Sequence, residues 1–252
     1  MSGLRVERVA DLTGLGAAVA DRLIAVCRAR QEAGAVPCIV LTGGRAGAEV
    51  LRAVGQHTDR SAIDWARVRV LWGDERWVPA GDPERNDLLA DDALFGRVGM
   101  DPALVYRVAA SDAGLTLEDA AASYARTVDS LERIDVALNG VGEDGHVASL
   151  FPGRDDLLGE DPAMPAALAV RDSPKAPPER VTLSLPALRR ADRVWLLAAG
   201  EGKADAVREL LAGGSRSSAR AGSPAARLTG RSETVLWADG PALGAGEDGS
   251  ER

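Results

Sequence analysis

Cysteine and histidine are scarce in this 252-residue chain and any excess of positive charge is lacking, with 30 basic residues against 38 acidic ones; each lack removes a class of explanation. The two cysteines stand apart, Cys27 in a helix-like stretch and Cys38 at the start of a strand, with no C-x-x-C and no cluster of His and Cys. Both are expected to be packed thiols, and no protein metal site is expected. The formal charge of −8 argues against nucleic acid and anionic membrane as partners, because both need broad basic patches. Any anionic ligand should then be small and gripped by a few focused cations. No apolar run approaches the roughly 20 residues of a membrane span, and the opening MSGLRVERVADLTG lacks the apolar centre of a signal peptide. The cytoplasm is the expected location. The chain also lacks the G-x-S-x-G elbow of serine hydrolases and the Gly-Lys-Ser/Thr that completes a Walker loop.

What is present is a regular alternation of segments. With 46% hydrophobic and 27% charged residues the chain can bury a substantial core, and a single domain over residues 1–240 is expected, followed by a flexible polar tail over 241–252. Leu15, Val19, Leu23, Val26 and Cys27 share one helical face, the run Cys38 to Leu41 reads as a strand, and Ala46 to Val54 reads as a helix. Strands are predicted at Val68 to Trp72, Val105 to Val108, Ile134 to Leu138, Ala167 to Val170, Val181 to Leu185, Arg193 to Ala198 and Thr234 to Ala238. Helical segments run over Asn86 to Phe95, Leu117 to Leu131 and Lys203 to Leu211, with a short turn opened by Pro186. Gly73 to Arg85 reads as irregular, and Gly213 to Pro224 has loop composition. The alternation predicts an α/β fold of three layers, a mostly parallel, modified Rossmann-like sheet with helices on both faces. Ligands in such sheets collect beyond the carboxyl ends of the strands.

Three loops that follow predicted strands carry the chemistry. Leu41-Thr-Gly-Gly-Arg-Ala-Gly47 ends a strand in paired glycines before a helix, an arrangement that aims backbone N–H groups at an anion; a tight turn needing glycine only for its angles is the alternative. In Trp72-Gly-Asp-Glu-Arg-Trp-Val-Pro79 the charged triplet is either a solvated run or, with two indoles beside it, a cleft wall in which Arg76 grips phosphate or carboxylate. The third loop, Asn139 to Gly153, presents His146 on a glycine-rich segment directly after an apolar strand. A neutral imidazole there can take a proton from water, the alternative being a satisfied loop histidine. Gly140 to Gly145 also fits G-x-G-x-x-G, but Phe151-Pro152-Gly153 cuts off the helix that a dinucleotide site requires.

Taken in order, Gly43-Gly44, Gly73 to Pro79 (G-D-E-R-W-V-P), Gly142 to Gly153 (G-x-D-G-H-x-A-S-L-F-P-G), Pro178 to Leu183 with Pro186, and Gly200 to Val207 (G-x-x-K-A-x-A-V) closely resemble the motifs of the 6-phosphogluconolactonase family. The likeness spans about residues 37 to 240, and the second and third blocks make it specific. The resemblance implies a cofactor-free, metal-free hydrolase of the oxidative pentose phosphate pathway acting on a small phosphorylated sugar lactone, a monomer or weak homodimer. It assigns His146 as the base that activates water, Arg76 and Lys203 to the 6-phosphate, and Arg180 as a further cation. Lys203 by its residue chemistry alone would read as an exposed helix start. Asp74 and Asp144 would orient His146 or bind sugar hydroxyls, two roles the sequence does not separate. Backbone N–H groups at Gly43-Gly44 or Gly142 would hold the oxyanion. Many relatives carry Ser-Thr-Pro after Gly-Gly where this chain has Arg45-Ala46-Gly47, so a hydroxyl contact is missing and Arg45 would compensate. Asn86 would help shape the pocket.

Two rivals belong beside this reading. Glucosamine-6-phosphate deaminase shares the Gly-Gly turn and a G-x-D-G-H loop, but continues into Ala-Phe-Asn-Glu-Pro, whereas this chain has Ala148-Ser-Leu-Phe-Pro152. A non-catalytic sugar-phosphate sensor would be expected to lose the base or add a partner-binding segment.

Overall fold

Apolar runs too short for a core helix form the central strands of a parallel sheet buried on both faces. The computed structural model describes residues 3–213 and 222–244. Its main sheet comprises β1 (Leu4–Val9), β2 (Cys38–Leu41), β3 (Arg69–Trp72), β5 (Val105–Tyr106), β6 (Ile134–Gly140), β9 (Ala191–Ala198) and β10 (Glu233–Asp239), in the order β1-β10-β9-β6-β2-β3-β5. Every pairing within it is parallel.

Side chains alternate across these strands, which divides the core in two. Ile39, Leu41, Val136 and Leu138 pack on one face with α1 (Leu12–Glu32), α2 (Gly44–Gln56) and α3 (Asn86–Ala93). Cys38, Val40, Ile134 and Ala137 face the other way, toward α4 (Leu117–Asp129) and α6 (Ala204–Gly213). The remaining helices, α5 (Leu185–Leu188) and α7 (Pro224–Arg227), are single turns. The three layers agree with the alternation read from the chain. In α1, Asp11 caps the first turn by accepting from the Gly14 N–H at 2.8 Å, and Leu15, Val19, Leu23 and Cys27 are buried as their spacing requires. Val26 is only half-buried, at the border of that face.

Three segments depart from the expected single parallel sheet. The stretch from Gly73 to Arg85 contains β4 (Asp74–Arg76), and β7 (Ala167–Val170) and β8 (Arg180–Leu183) join it in a separate antiparallel sheet of order β4-β8-β7. Strand direction is a tertiary choice that short apolar runs do not encode, and the charged triplet of β4 hides its strand character. β1 was not anticipated either, because its alternation of exposed and half-buried residues suits an edge strand with little core to mark it. The loop expected over 213–224 resolves into α7 at its end, while residues 214–221 lie outside the described residues, as do 245–252 of the expected tail.

The strand order fixes where a ligand can sit. From β2 the chain winds outward through β3 to β5, then returns to place β6 on the opposite side of β2 and continues to β9 and β10. The carboxyl ends of β2 and β6 therefore flank a topological switch point, the crevice in which open α/β sheets bind ligands.

Candidate active site

Four chain segments meet at this crevice: Thr42 to Ala46 after β2, Asp74 and Arg76 after β3, Gly140 to Ala148 after β6, and Ala199 to Lys203 after β9. Together with Lys175, Ala176 and Arg180 they line a cleft of about 390 Å³. Of the residues expected from the sequence, Gly43, Gly44, Arg45, Asp74, Arg76, Asn86, His146, Arg180 and Lys203 all face it. Asp144 stands behind the imidazole instead, joined to it through Nδ1.

The β2 end is shaped by a close approach. A methyl group on Gly43 would come within 1.9 Å of the Asn86 Oδ1, so only glycine lets the Asn86 amide reach across to donate to the Asp74 carbonyl at 3.0 Å. Gly43 caps α2 with no side-chain hydrogen bond, leaving the first N–H groups of that helix free to meet an anion. Asn86 is itself fixed by Glu75, whose Oε1 accepts from the Asn86 and Arg76 N–H groups at 2.7 and 2.8 Å while Oε2 accepts from the Asp87 N–H at 2.9 Å. Glu75 is 1% exposed, and burial pushes its carboxyl up to about 7 against these hydrogen bonds and the nearby Arg85.

The His loop is held from below by Val147, Leu150 and Phe151, all buried. Gly142 is required here, since a Cβ would lie 2.0 Å from the imidazole Nδ1. Asp144 accepts from the His146 backbone N–H at 3.2 Å and contacts Nδ1, which assigns the Nδ1–H tautomer and leaves Nε2 without a protein partner among the described residues. The Phe151 ring lies 4.7 Å from the imidazole and the Arg180 guanidinium 5.8 Å from Phe151. Burial lowers the His146 pKa below the ordinary histidine value; Asp144 opposes the shift, Lys175 adds to it and Asp74 resists it. For Asp144, burial works upward but the imidazole holds the carboxyl below its usual range. The lowered pKa favours the neutral ring, and with Nδ1 facing Asp144 the free lone pair of that ring lies on Nε2.

Asp74 does not touch the imidazole. Its Oδ2 accepts from the Ser149 hydroxyl at 2.6 Å and lies 3.9 Å from Arg180, in a site only 6% exposed. The two acidic residues that the sequence leaves undistinguished are therefore distinct in the fold: Asp144 meets the ring, and Asp74 faces the cleft beside Ser149. Arg76 donates through Nη1 to the Glu84 carbonyl at 2.6 Å, while its Nε is buried without a partner. Lys203 sits at the Gly200 turn, its pKa depressed by burial, resisted by Glu143 and assisted by the cations Lys175 and Arg45. Asp239 fixes this turn by accepting from the Gly200 N–H at 3.0 Å. Lys175, Ser149 and Asp239 were not anticipated. Lys175 lies in the proline-rich Ser173 to Pro178 and reads as a solvated loop residue, and the other two act only through tertiary contacts. Among the described residues, no three His, Cys, Asp or Glu side chains converge as a metal site would require.

A model of the family of glucosamine-6-phosphate isomerases and 6-phosphogluconolactonases matches residues 10–237. The 6-phosphogluconolactonase of Streptomyces coelicolor is 44% identical over 231 residues, covering 87% of this chain and 85% of that one. In three dimensions the crystal structure of 6-phosphogluconolactonase from Thermotoga maritima superposes with a TM-score of 0.79 at 26% identity, covering 94% of this chain and 99% of that chain. A monomeric glucosamine-6-phosphate deaminase reaches the same TM-score of 0.79 at 19% identity, over 96% of this chain and 100% of its own, so the fold alone does not separate the two activities. By the extent of the family match and the identity to its members, the chain belongs to the glucosamine-6-phosphate isomerase/6-phosphogluconolactonase family.

Proposed function

We propose that this chain hydrolyses 6-phospho-D-glucono-1,5-lactone to 6-phospho-D-gluconate, with His146 as the general base. One observation carries the reading: His146, tethered at Nδ1 by Asp144 and with no protein partner at Nε2 among the described residues, lines a cleft that also holds Arg45, Arg76 and Lys203. In this scheme the cations hold the 6-phosphate while water attacks C1 and gives its proton to Nε2. The oxyanion is received by backbone N–H groups at Gly43-Gly44 or Gly142. Collapse breaks the bond between C1 and the ring oxygen, and the imidazolium returns the proton to that oxygen as it leaves. Asp144 keeps the tautomer and stabilises the transient imidazolium; Asp74 and Asn86 face the sugar hydroxyls.

The deaminase alternative needs a carboxylate just after the histidine. Here that position is filled by Ser149, Leu150 and Phe151, all buried and none acidic, with Ser149 committed to Asp74. The decisive experiment follows acid release from freshly prepared phosphorylated lactone, with spontaneous opening subtracted and the unphosphorylated lactone as control. Ammonia release from glucosamine 6-phosphate without lactone hydrolysis would overturn the proposal, and binding of 6-phosphogluconate without acceleration would make the protein a sensor.

A further inference from the structure

We propose that Lys175 is a further substrate-binding residue, a cation over the mouth of the cleft that closes on the 6-phosphate, and that Arg180 is the positioning residue that presents it. The inference rests on the lactonase reading and deepens it. Arg180 lines the cleft and is 4% exposed, yet most of its donors are already spent. Its Nε donates to the Pro177 carbonyl at 3.0 Å, and its Nη2 donates to the Lys175 and Ala176 carbonyls at 2.8 and 3.0 Å. The remaining Nη1 faces the Ser149 hydroxyl at 3.4 Å. Three successive carbonyls of a proline-rich segment with no helix or strand of its own thus converge on one buried guanidinium.

This tether holds the backbone of Lys175 and Ala176 at the edge of the cleft. Lys175 is exposed and, like Arg45 and the half-buried Lys203, forms no ion pair among the described residues, whereas Arg76 is paired with Glu84 at 3.4 Å. Lys175 lines the same cleft as His146, Arg45 and Lys203. Unpaired cations converging on one cleft repel one another until an anion arrives, and a phosphate dianion offers each of them a charge-assisted hydrogen bond.

The test uses the full chain and four variants. Wild-type protein is first assayed on 6-phosphogluconolactone; inactivity there sinks the lactonase reading itself. With that activity in hand, Lys175→Met is expected to raise KM roughly tenfold, as loss of one hydrogen bond to a charged group does, with kcat within about twofold. Its kcat/KM on unphosphorylated D-glucono-1,5-lactone should stay at the wild-type value, and Lys175→Arg should restore most of the affinity. Arg180→Lys, which keeps the charge but cannot span three carbonyls, should raise KM in the wild-type background and not in the Lys175→Met background. An unchanged KM in Lys175→Met, or an equal loss on both lactones, overturns the assignment of Lys175. A KM increase from Arg180→Lys of the same size in both backgrounds overturns the positioning role.

Discussion

At the scale of single residues, the proposed chemistry turns on how one imidazole is kept neutral and aimed. His146→Ala should lower kcat by roughly 10²- to 10⁴-fold, the range of general-base contributions, with a much smaller change in KM; steady-state kinetics on the phosphorylated lactone measures both. The protonation of the ring is a separate test. Since burial sets the folded pKa below the ordinary value, the imidazolium should form only as pH falls past that lowered pKa, and activity that needs the free lone pair should be lost there. Asp144 and Asp74 work to raise this pKa and Lys175 to lower it. An NMR titration of the ring should therefore move to lower pH in Asp144→Asn and to higher pH in Lys175→Met. His146 and Arg76 could be singled out in the sequence because each stands in a loop directly after a strand, whereas Lys203 alone reads as an exposed helix start and was drawn in only by the family motif around it; the fold brings all three to one cleft. Lys175 could not be singled out, because what recruits it is a guanidinium five positions away folding back onto its carbonyl.

At the scale of elements, loops and helix starts set the geometry of the site. Gly142→Ala puts a methyl group where the imidazole lies, at 2.0 Å from Nδ1, so the ring must swing away from Asp144. Activity should fall about as far as in His146→Ala while the melting temperature changes by only a few degrees, a contrast that calorimetry alongside kinetics resolves. Glu75, which ties β4 to the first turn of α3, makes a different prediction. Its folded pKa, pushed up to about 7, lies above the ordinary 4.5, so between those values the native state binds more protons than the unfolded one. Its contribution to stability should consequently decline as pH rises through that window, and Glu75→Gln should flatten the slope of unfolding free energy against pH there. β2, β3, β6, β9 and β10 were readable because each is a compact apolar run with one fate, burial in a parallel sheet. β7 and β8 were readable as strands but their antiparallel partnership was not, and β4 was not readable at all, since that sheet is settled only when Asp74, Glu75 and Arg76 meet Thr182, Val181 and Arg180 across the register.

At the scale of the whole molecule, the two sheets build opposite walls of one cleft. The parallel sheet supplies the glycine loops and His146 at its switch point, and the small antiparallel sheet supplies Asp74, Arg76 and Arg180. Arg76 and Arg180 stand directly opposite one another in β4 and β8, and each already meets a carboxylate, Arg76 at Glu84 and Arg180 at Asp74. An anion gripped by Arg76 and the other cleft cations should bind the native protein selectively. 6-Phosphogluconate at about 100 times its Kd should stabilise the fold by roughly 2.7 kcal/mol, a rise in melting temperature of several degrees, and Arg76→Ala should remove most of that shift. Differential scanning calorimetry with and without the ligand checks it. The switch point itself was predictable in kind from the alternation of strands and helices, but the second wall emerged only from long-range pairing.

The cleft also carries charge of both signs, with the Asp74 carboxylate facing it and Arg45 at the start of α2 and Lys203 at the Gly200 turn lining it. On the proposed reaction the substrate arrives uncharged at its ester and departs with a fresh carboxylate at that atom. The new anion is born in a cleft that already holds the Asp74 carboxylate, while the phosphate grip is the same before and after. Turnover thereby manufactures its own expulsive force: the chemical step that finishes catalysis also makes the occupant a worse tenant than the one it replaced.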